Sequence, residues 1–253
     1  MRVWLWPNVL SLDAPLVAVL WQILFVRCFH APEQTVPVVL LAASVWLIYS
    51  ADRMLDAWRG CGHRPRHQFC RRHWRALLAV WAAVGAGAAW LAWNSLPAPL
   101  FARGLWLMGA VGLYFTAVHG WRAEKRFPKE AVVAALFALG ATIVAWNRLE
   151  TAADVFTVLL FSCLCWINCV AIEDWENGEA RARVGAAAAL VAVAAFLLHR
   201  QRPVLASAEV ASALAFVLLD RARLCFSPDA LRVLADAALL SPLFFLPVAG
   251  LLS

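Results

Sequence analysis

Long runs of apolar residues, separated by short polar segments, dominate the chain. Nine such runs can be delimited, and most approach the roughly 20 residues that a helix needs to cross a bilayer. They cover residues 10–28, 35–56, 75–94, 99–119, 130–147, 153–173, 183–198, 203–220 and 231–252, spans 1 to 9 in chain order. The pattern predicts an all-α polytopic membrane protein of nine transmembrane helices, with residues 1–253 forming a single transmembrane domain.

Composition supports this class. Hydrophobic residues make up 64% and charged residues 15% of the 253 positions, whereas a soluble domain is about half apolar and a quarter charged. The composition therefore excludes a soluble globular protein. The first apolar run is long and lacks a small-x-small cleavage site, so we expect no cleavable signal peptide.

The basic residues are distributed unevenly between the two sides of the predicted bundle. Of the 22 Lys and Arg residues, the side opposite the N-terminus holds only Arg27, Arg103, Arg148, Arg200 and Arg202. The positive-inside rule then predicts a cytoplasmic N-terminus in an inner (cytoplasmic) membrane, with the loops after spans 2, 4, 6 and 8 also cytoplasmic. The net charge of +6 indicates affinity for anionic lipid headgroups or an anionic substrate, and no nucleic-acid surface is expected.

The longest polar stretch is the basic loop 57–74. It contains five residues that can ligate zinc, namely Cys61, His63, His67, Cys70 and His73. Their spacing fits no standard zinc module, so a structural zinc site and a solvated basic loop both stay open.

Acidic residues stand at the predicted cytoplasmic end of span 2. Tyr49, Asp52 and Asp56 follow an i, i+3, i+7 spacing, which places them on one face of a helix. Carboxylates are costly at a membrane, by roughly 2.5–3.5 kcal/mol each at a helix centre, and are seldom kept there without a partner. Two carboxylates one turn apart can bind Mg²⁺, which fills its other positions with water and phosphate oxygens.

A second acidic cluster ends span 6, on the same predicted side of the membrane. It contains Glu173, Asp174, Glu176 and Glu179. Two clusters facing each other would form a divalent-metal site for a diphosphate, whose departure requires charge neutralisation by metal ions and basic side chains. The alternative is that these acids are solvated or paired with nearby arginines, as we expect for Asp236, for which Arg232 is one candidate partner.

At these clusters the chain resembles the UbiA superfamily of intramembrane prenyltransferases, which has nine transmembrane helices and Asp-rich motifs on helices 2 and 6. Asp52 and Asp56 match the second and third aspartates of the first motif, while Tyr49 occupies the position of its first aspartate. The segment Ile172-Glu173-Asp174 matches the core of the second motif, with Ala171 and Gly178 at its outer aspartates. Tyr114 followed by Lys125 and Arg126 is similar to the family's stretch before helix 5.

The resemblance implies a function and a set of roles. A prenyl diphosphate would bind with Mg²⁺ at the cytoplasmic mouth, and its prenyl group would be transferred to a hydrophobic or aromatic acceptor within the membrane. The implied residues fall into three groups: metal ligands and catalytic acids, diphosphate-binding cations and pocket residues. The implied metal ligands are Asp52, Asp56, Glu173, Asp174 and Glu179, and of these Asp52, Asp56 and Asp174 are the implied catalytic residues. The diphosphate would be bound by Arg53, Lys125 and Arg126. The substrate pocket would be lined by Tyr49, Tyr114 and Asn168.

Two other functions stay open on the same scaffold. Because motif aspartates are replaced at Tyr49, Ala171 and Gly178, a non-catalytic member that binds lipid or a partner is one alternative. A terpene cyclase is the other. A transporter is disfavoured, because the clustered acids lie at one membrane face and not at the midplane.

Overall fold

The computed structural model describes residues 8, 10–58, 65–120, 129–177 and 184–252. For residues 65–71, 119–120, 177 and 252 it describes the main chain only. Every long regular element in these ranges is a helix. The helices are α1 (Asp13–Cys28), α2 (Thr35–Trp58), α3 (Pro65–Ser95), α4 (Ala98–Phe115), α5 (Lys129–Thr142), α6 (Ala152–Asn177), α7 (Val184–Leu197), α8 (Pro203–Ala222), α9 (Pro228–Ala238) and α10 (Pro242–Leu252). The prediction of an all-helical protein is confirmed for the described residues.

Each of the nine apolar runs falls on one helix, except the ninth, which covers both α9 and α10. Six segments in the described ranges are long and apolar enough to cross a membrane: Thr35–Trp58, Arg72–Ser95, Ala98–Val118, Ala152–Glu176, Pro203–Cys225 and Pro228–Leu251. The chain is therefore a multi-pass membrane protein. Helices α1, α5 and α7 have only 16, 14 and 14 residues, so the count of nine crossings is not confirmed and stays a prediction.

The chain divides into two compact units. Unit 1 comprises Met1–Val19 and Gln34–Phe101, and unit 2 comprises Leu20–Glu33 and Ala102–Ser253. The boundary between them passes through α1 and α4. Each unit is described by itself below.

In unit 1, α2 and α3 pack against each other. Trp81 of α3 donates a hydrogen bond from Nε1 to the main-chain oxygen of Leu47 in α2 (2.9 Å). Helix α3 has a kink at His73, and the candidate span begins beside it, at Arg72. No residue in the most apolar window of this span is buried, which is the pattern of a helix whose surface faces lipid.

In unit 2, aromatic side chains form the centre of the core. The ring of Trp21 in α1 stacks on Phe161 of α6 at a centroid distance of 4.3 Å. Phe25 and Phe137 contact the same Phe161 ring at 5.5 Å and 6.2 Å. Such pairs are favourable beyond their buried area by about 0.5–1.5 kcal/mol each. Phe161 therefore joins three helices.

Polar contacts fix the directions of the helices in unit 2. Lys129 at the start of α5 lies near Glu173 at the end of α6, so these helices are antiparallel. Arg202, just before α8, contacts Asp154 near the start of α6, so α6 and α8 run the same way. The contact between Arg232 of α9 and Glu176 of α6 then makes α9 antiparallel to both.

Helices α7 and α8 pack closely because their contact surfaces are built of small residues. The buried alanines are Ala188, Ala192 and Ala195 on α7 and Ala206, Ala208 and Ala213 on α8. Small residues let membrane helices approach each other. At Gly185 the approach leaves no room for a side chain, because a Cβ there would lie 2.7 Å from Oδ2 of Asp220, which accepts the Gly185 N–H at 3.1 Å.

Asp154 holds together the opposite end of unit 2. Its carboxylate is fully buried and accepts main-chain N–H groups from Glu150 and Thr151 at 3.1 and 2.9 Å. It also accepts Nε of Arg202 at 2.6 Å, and the Arg202 guanidinium lies 5.4 Å from the centre of the Phe29 ring. One carboxylate therefore caps α6 and fixes the start of α8.

We expect Asp154→Ala to destabilise the protein by about 3 kcal/mol, because it leaves the Arg202 guanidinium without its buried counter-charge. The measurement is reversible unfolding of the purified protein in mixed detergent micelles. Glu33→Gln is the matched control: it removes an exposed pair with Arg27 and should cost less than about 1 kcal/mol. Equal losses in the two variants would contradict a structural role for Asp154.

Candidate functional site

The first acidic cluster lies on the last turns of α2, in unit 1. Tyr49, Asp52 and Asp56 all fall inside the continuous helix Thr35–Trp58, so the predicted common face is confirmed by helix geometry. All three side chains are half-buried. The arrangement leaves a strip of two carboxylates and one phenol that is partly accessible at the end of an apolar helix.

Arg53 is attached to the N-terminal segment of unit 1. It is buried, and its Nη1 donates to the main-chain oxygen of Asn8. Asn8 in turn donates from Nδ2 to Oδ2 of Asp13 at 2.7 Å. Arg53 was predicted to bind diphosphate. Its observed contact is structural, although a guanidinium has five N–H donors and can serve a ligand as well.

The second cluster, in unit 2, is built around Lys129. The Nζ atom of Lys129 lies 3.6 Å from Oε1 of Glu130 and 3.8 Å from Oε1 of Glu173. Two carboxylates from neighbouring helices thus share one cation. Asp174 is buried beside them on α6, whereas Glu173 is half exposed.

Two polar contacts connect α6 to α9 next to this cluster. Arg232 donates from Nη1 to Oε1 of Glu176 at 3.0 Å, and Asn168 donates from Nδ2 to Oδ1 of Asp236 at 3.1 Å. Three buried polar atoms here have no hydrogen-bond partner among the described residues: Oδ1 of Asn168, Nε1 of Trp175 and Nε of Arg232. Such atoms are uncommon in native structures and point to a place where water or a ligand binds.

We name these residues the acid-rich end of unit 2: Lys129, Glu130, Asn168, Glu173, Asp174, Trp175, Glu176, Arg232 and Asp236. Among the described residues no group of three or more His, Cys, Asp or Glu side chains is arranged to hold a metal. Pairs of carboxylates are present, however, and Mg²⁺ takes only one or two protein carboxylates when phosphate oxygens complete its shell. The described carboxylates therefore fit a metal that arrives with a diphosphate better than a metal bound by protein alone.

Tyr114 stands at the end of α4. It is half-buried, and its ring makes an edge-on contact with Phe115 at 5.8 Å. A five-residue π-helical turn, Thr116–Gly120, follows directly. Such turns are rare and often occur at functional sites.

Several predicted site residues lie outside the described residues. They are Glu179, Lys125 and Arg126, together with Cys61 and His63 of the basic loop and the side chains of His67 and Cys70. Their predicted roles stay predictions.

The sequence interpretation did not assign Lys129, Glu130 and Arg232 to the site. Arg232 and Asp236 are four residues apart on α9, a spacing that places them on one helix face. This i, i+4 spacing is the feature of the sequence that could have indicated a polar face of α9 directed toward α6. The partners could not be read from it, because Arg232 contacts Glu176 while Asp236 contacts Asn168.

Comparison with protein-family models, with curated proteins and with solved structures gives no match for this chain.

A double-mutant cycle should detect the contact between α6 and α9. We expect Glu176→Leu and Arg232→Met to show a coupling free energy of about 1–3 kcal/mol, because their charge-assisted hydrogen bond is largely buried. The measurement is the free energy of unfolding of the two single variants and the double variant. The same cycle on Asp220 and Arg223, a longer and more exposed pair at 3.4 Å, should give less than about 0.5 kcal/mol. Additive effects at Glu176 and Arg232 would contradict the observed pairing.

Proposed function

We propose that this chain is a Mg²⁺-dependent prenyltransferase of the inner membrane, with nine transmembrane helices of the UbiA type. It transfers a prenyl group from a prenyl diphosphate to a hydrophobic or aromatic acceptor. The single observation that supports this function best is the placement of Asp52 and Asp56, both half-buried, on one face of the last turns of the apolar helix α2. Acidic side chains are seldom kept at a membrane without a functional role or a charged partner.

In this proposal the two acidic clusters act as separate binding elements. Asp52 and Asp56 of α2 hold Mg²⁺ in unit 1, while Glu173 and Asp174 of α6 do so in unit 2, joined by Glu179. When bound, Mg²⁺ neutralises the charge that develops on the departing diphosphate. The residues of this chain position the metal and keep the acids within reach of water at the membrane surface.

The basic residues orient the diphosphate. Arg53, Lys125 and Arg126 neutralise its oxygens, and Lys129 is a further cation already placed between two carboxylates. Point charges and guanidinium groups of this kind stabilise a leaving group that becomes more negative during bond cleavage.

The apolar parts of the substrates need a nonpolar environment. Tyr49 in unit 1 and Tyr114 and Asn168 in unit 2 are half-buried, and in this proposal each contributes a contact to the prenyl chain or to the acceptor. Asn168 keeps its Oδ1 atom without a hydrogen-bond partner among the described residues, so it can accept a hydrogen bond from an acceptor hydroxyl.

The direct test is release of pyrophosphate from prenyl diphosphates of several lengths by the purified chain in lipid nanodiscs. We expect release to require Mg²⁺ and to fall by roughly 100-fold or more in Asp52→Asn and in Asp174→Asn, because each variant removes charge stabilisation from the leaving group. Asp229→Asn is the matched control, since Asp229 is an exposed acid at the start of α9. Thermal midpoints of all variants exclude unfolding as the cause.

Release that is equally fast in Asp174→Asn and the control would reject the metal assignment. No release from any prenyl diphosphate would favour the non-catalytic alternative, a lipid- or partner-binding protein. One observation favours that alternative: Lys129 and Arg232 already pair with acids of the same cluster. A cyclised hydrocarbon as the product would instead identify a terpene cyclase.

The proposed orientation has its own test. In a variant whose other cysteines are replaced, Cys225, exposed near the end of α8, should react with a membrane-impermeant maleimide only after cells are permeabilised. Arg148→Cys, at an exposed position before α6, should react in intact cells, because the positive-inside rule places it on the outer side. The reverse labelling pattern would invert the topology.

A further inference from the structure

Glu209 lies inside α8, away from the acid-rich end. Its side chain is fully buried, and neither carboxylate oxygen has a hydrogen-bond partner among the described residues. This distinguishes it from Asp154, which accepts three hydrogen bonds, and from Glu176, which pairs with Arg232. A carboxyl group kept in an apolar layer without a protein partner is a functional-site candidate by its energetic cost alone.

The position of Glu209 along α8 places it within the apolar layer. Arg202, which marks the start of α8, contacts Asp154 at the start of α6, so this level is an end of both candidate spans. Glu209 follows Arg202 by seven residues, which corresponds to about 10 Å along a helix. The carboxylate is therefore too deep for the surface to solvate it directly.

The last candidate span is interrupted where it contacts the stretch of α8 that carries Glu209. Helix α9 ends at Ala238 and α10 begins at Pro242, whose missing N–H cannot continue the helical hydrogen bonds. In the break, Ser241 donates from Oγ to the main-chain oxygen of Ala208 at 2.8 Å and accepts Oγ–H of Ser212 at 2.8 Å. Ala208 and Ser212 are on the same stretch of α8 as Glu209, so the break adds the Ser241 hydroxyl to a stretch that already carries the Ser212 hydroxyl.

A second buried polar group is attached to the same break. Trp21 of α1 donates from Nε1 to the main-chain oxygen of Leu239 at 2.8 Å. The next residue, Gln22, is fully buried, and neither its amide oxygen nor its amide nitrogen has a hydrogen-bond partner among the described residues. Two side chains without a hydrogen-bond partner among the described residues, Glu209 and Gln22, thus lie on α8 and α1, which both contact the break.

We propose that Glu209 and the break at Leu239–Ser241 form an intramembrane binding site for Na⁺. Hard cations prefer oxygen ligands, and this region offers the Glu209 carboxylate and the hydroxyls of Ser212 and Ser241. Interrupted membrane helices bind Na⁺ in this way in secondary transporters, where unwound backbone supplies further oxygens.

The charge balance selects a monovalent ion. Glu209 contributes one negative charge when Na⁺ is bound, and Cys163 of α6 is a neighbouring titratable group. Helices α7 and α10 carry no titratable side chain within Val184–Leu197 and Pro242–Leu252. On α9, Asp236 and Arg232 are engaged with Asn168 and Glu176. One carboxylate with one Na⁺ is neutral, whereas a divalent ion would leave an uncompensated positive charge in the apolar layer.

The test is binding of radioactive sodium to the purified full-length protein in nanodiscs, together with its thermal midpoint at constant ionic strength. We expect about one Na⁺ per chain and a midpoint that rises with Na⁺ concentration, since a ligand that binds only the folded state stabilises it. Both effects should be absent in Glu209→Gln and unchanged in Glu33→Gln. Ser212→Ala should weaken Na⁺ affinity about 10-fold and keeps the test decisive if Glu209→Gln does not fold.

Absence of sodium binding to the unaltered protein would overturn the proposal. An equal rise of the midpoint with K⁺ or N-methylglucamine would also overturn it, because the effect would then be nonspecific. The Na⁺ site is independent of the proposed transferase activity: Glu209→Gln leaves every residue of the acid-rich end in place.

Discussion

A charged side chain in or beside an apolar layer is costly without a partner, and this constraint organises unit 2. Asp154 with Arg202, Glu176 with Arg232, and Glu173 and Glu130 with Lys129 are the observed solutions. Each pair connects different helices, except Glu130 with Lys129, which are neighbours in α5. The polar contacts therefore do more than offset the cost of the charges: they set which helices are antiparallel and which run together.

Helix α6 carries ion pairs at both ends, and their separation corresponds to the thickness of a membrane. Asp154 and Glu176 are 22 residues apart in one continuous helix, or about 33 Å. The hydrocarbon layer of a bilayer is about 30 Å thick. Both charged contacts can therefore lie at membrane surfaces while Phe161, between them, joins the aromatic core. Helix α6 is the element whose placement determines that of α5, α8 and α9.

The sequence was sufficient for the helical class and for the positions of the apolar runs, because apolar runs of membrane length have few alternatives to a helix. It also indicated that Tyr49, Asp52 and Asp56 share a face, because that property depends on helical spacing alone. The partners of the acids were not predictable. Whether Glu176 pairs with Arg232 depends on how α6 packs against α9. The spacing of residues along a single helix does not predict the contacts between two helices. Pro242 itself indicated that the helix could be interrupted there, but the contacts of the Ser241 hydroxyl group in the interruption were not predictable from the sequence.

The interruption of the last span has a structural reason besides the proposed ion site. Helix α9 uses Arg232 and Asp236 to contact α6, whereas α10 packs on α8 and offers the main-chain oxygen of Leu246 to Nη1 of Arg27 at 3.1 Å. A straight helix presents a fixed face along its length, so it cannot turn from one neighbour to another. The break at Leu239–Ser241 permits the change from contacts with α6 to contacts with α8. Main-chain groups in the break lose their helical hydrogen-bond partners as a result. Trp21 supplies one replacement donor to Leu239, and the Ser241 hydroxyl binds Ala208. The polar contacts at the break therefore follow from a packing requirement, which accounts for the Ser212 and Ser241 hydroxyl groups inside an otherwise apolar part of unit 2.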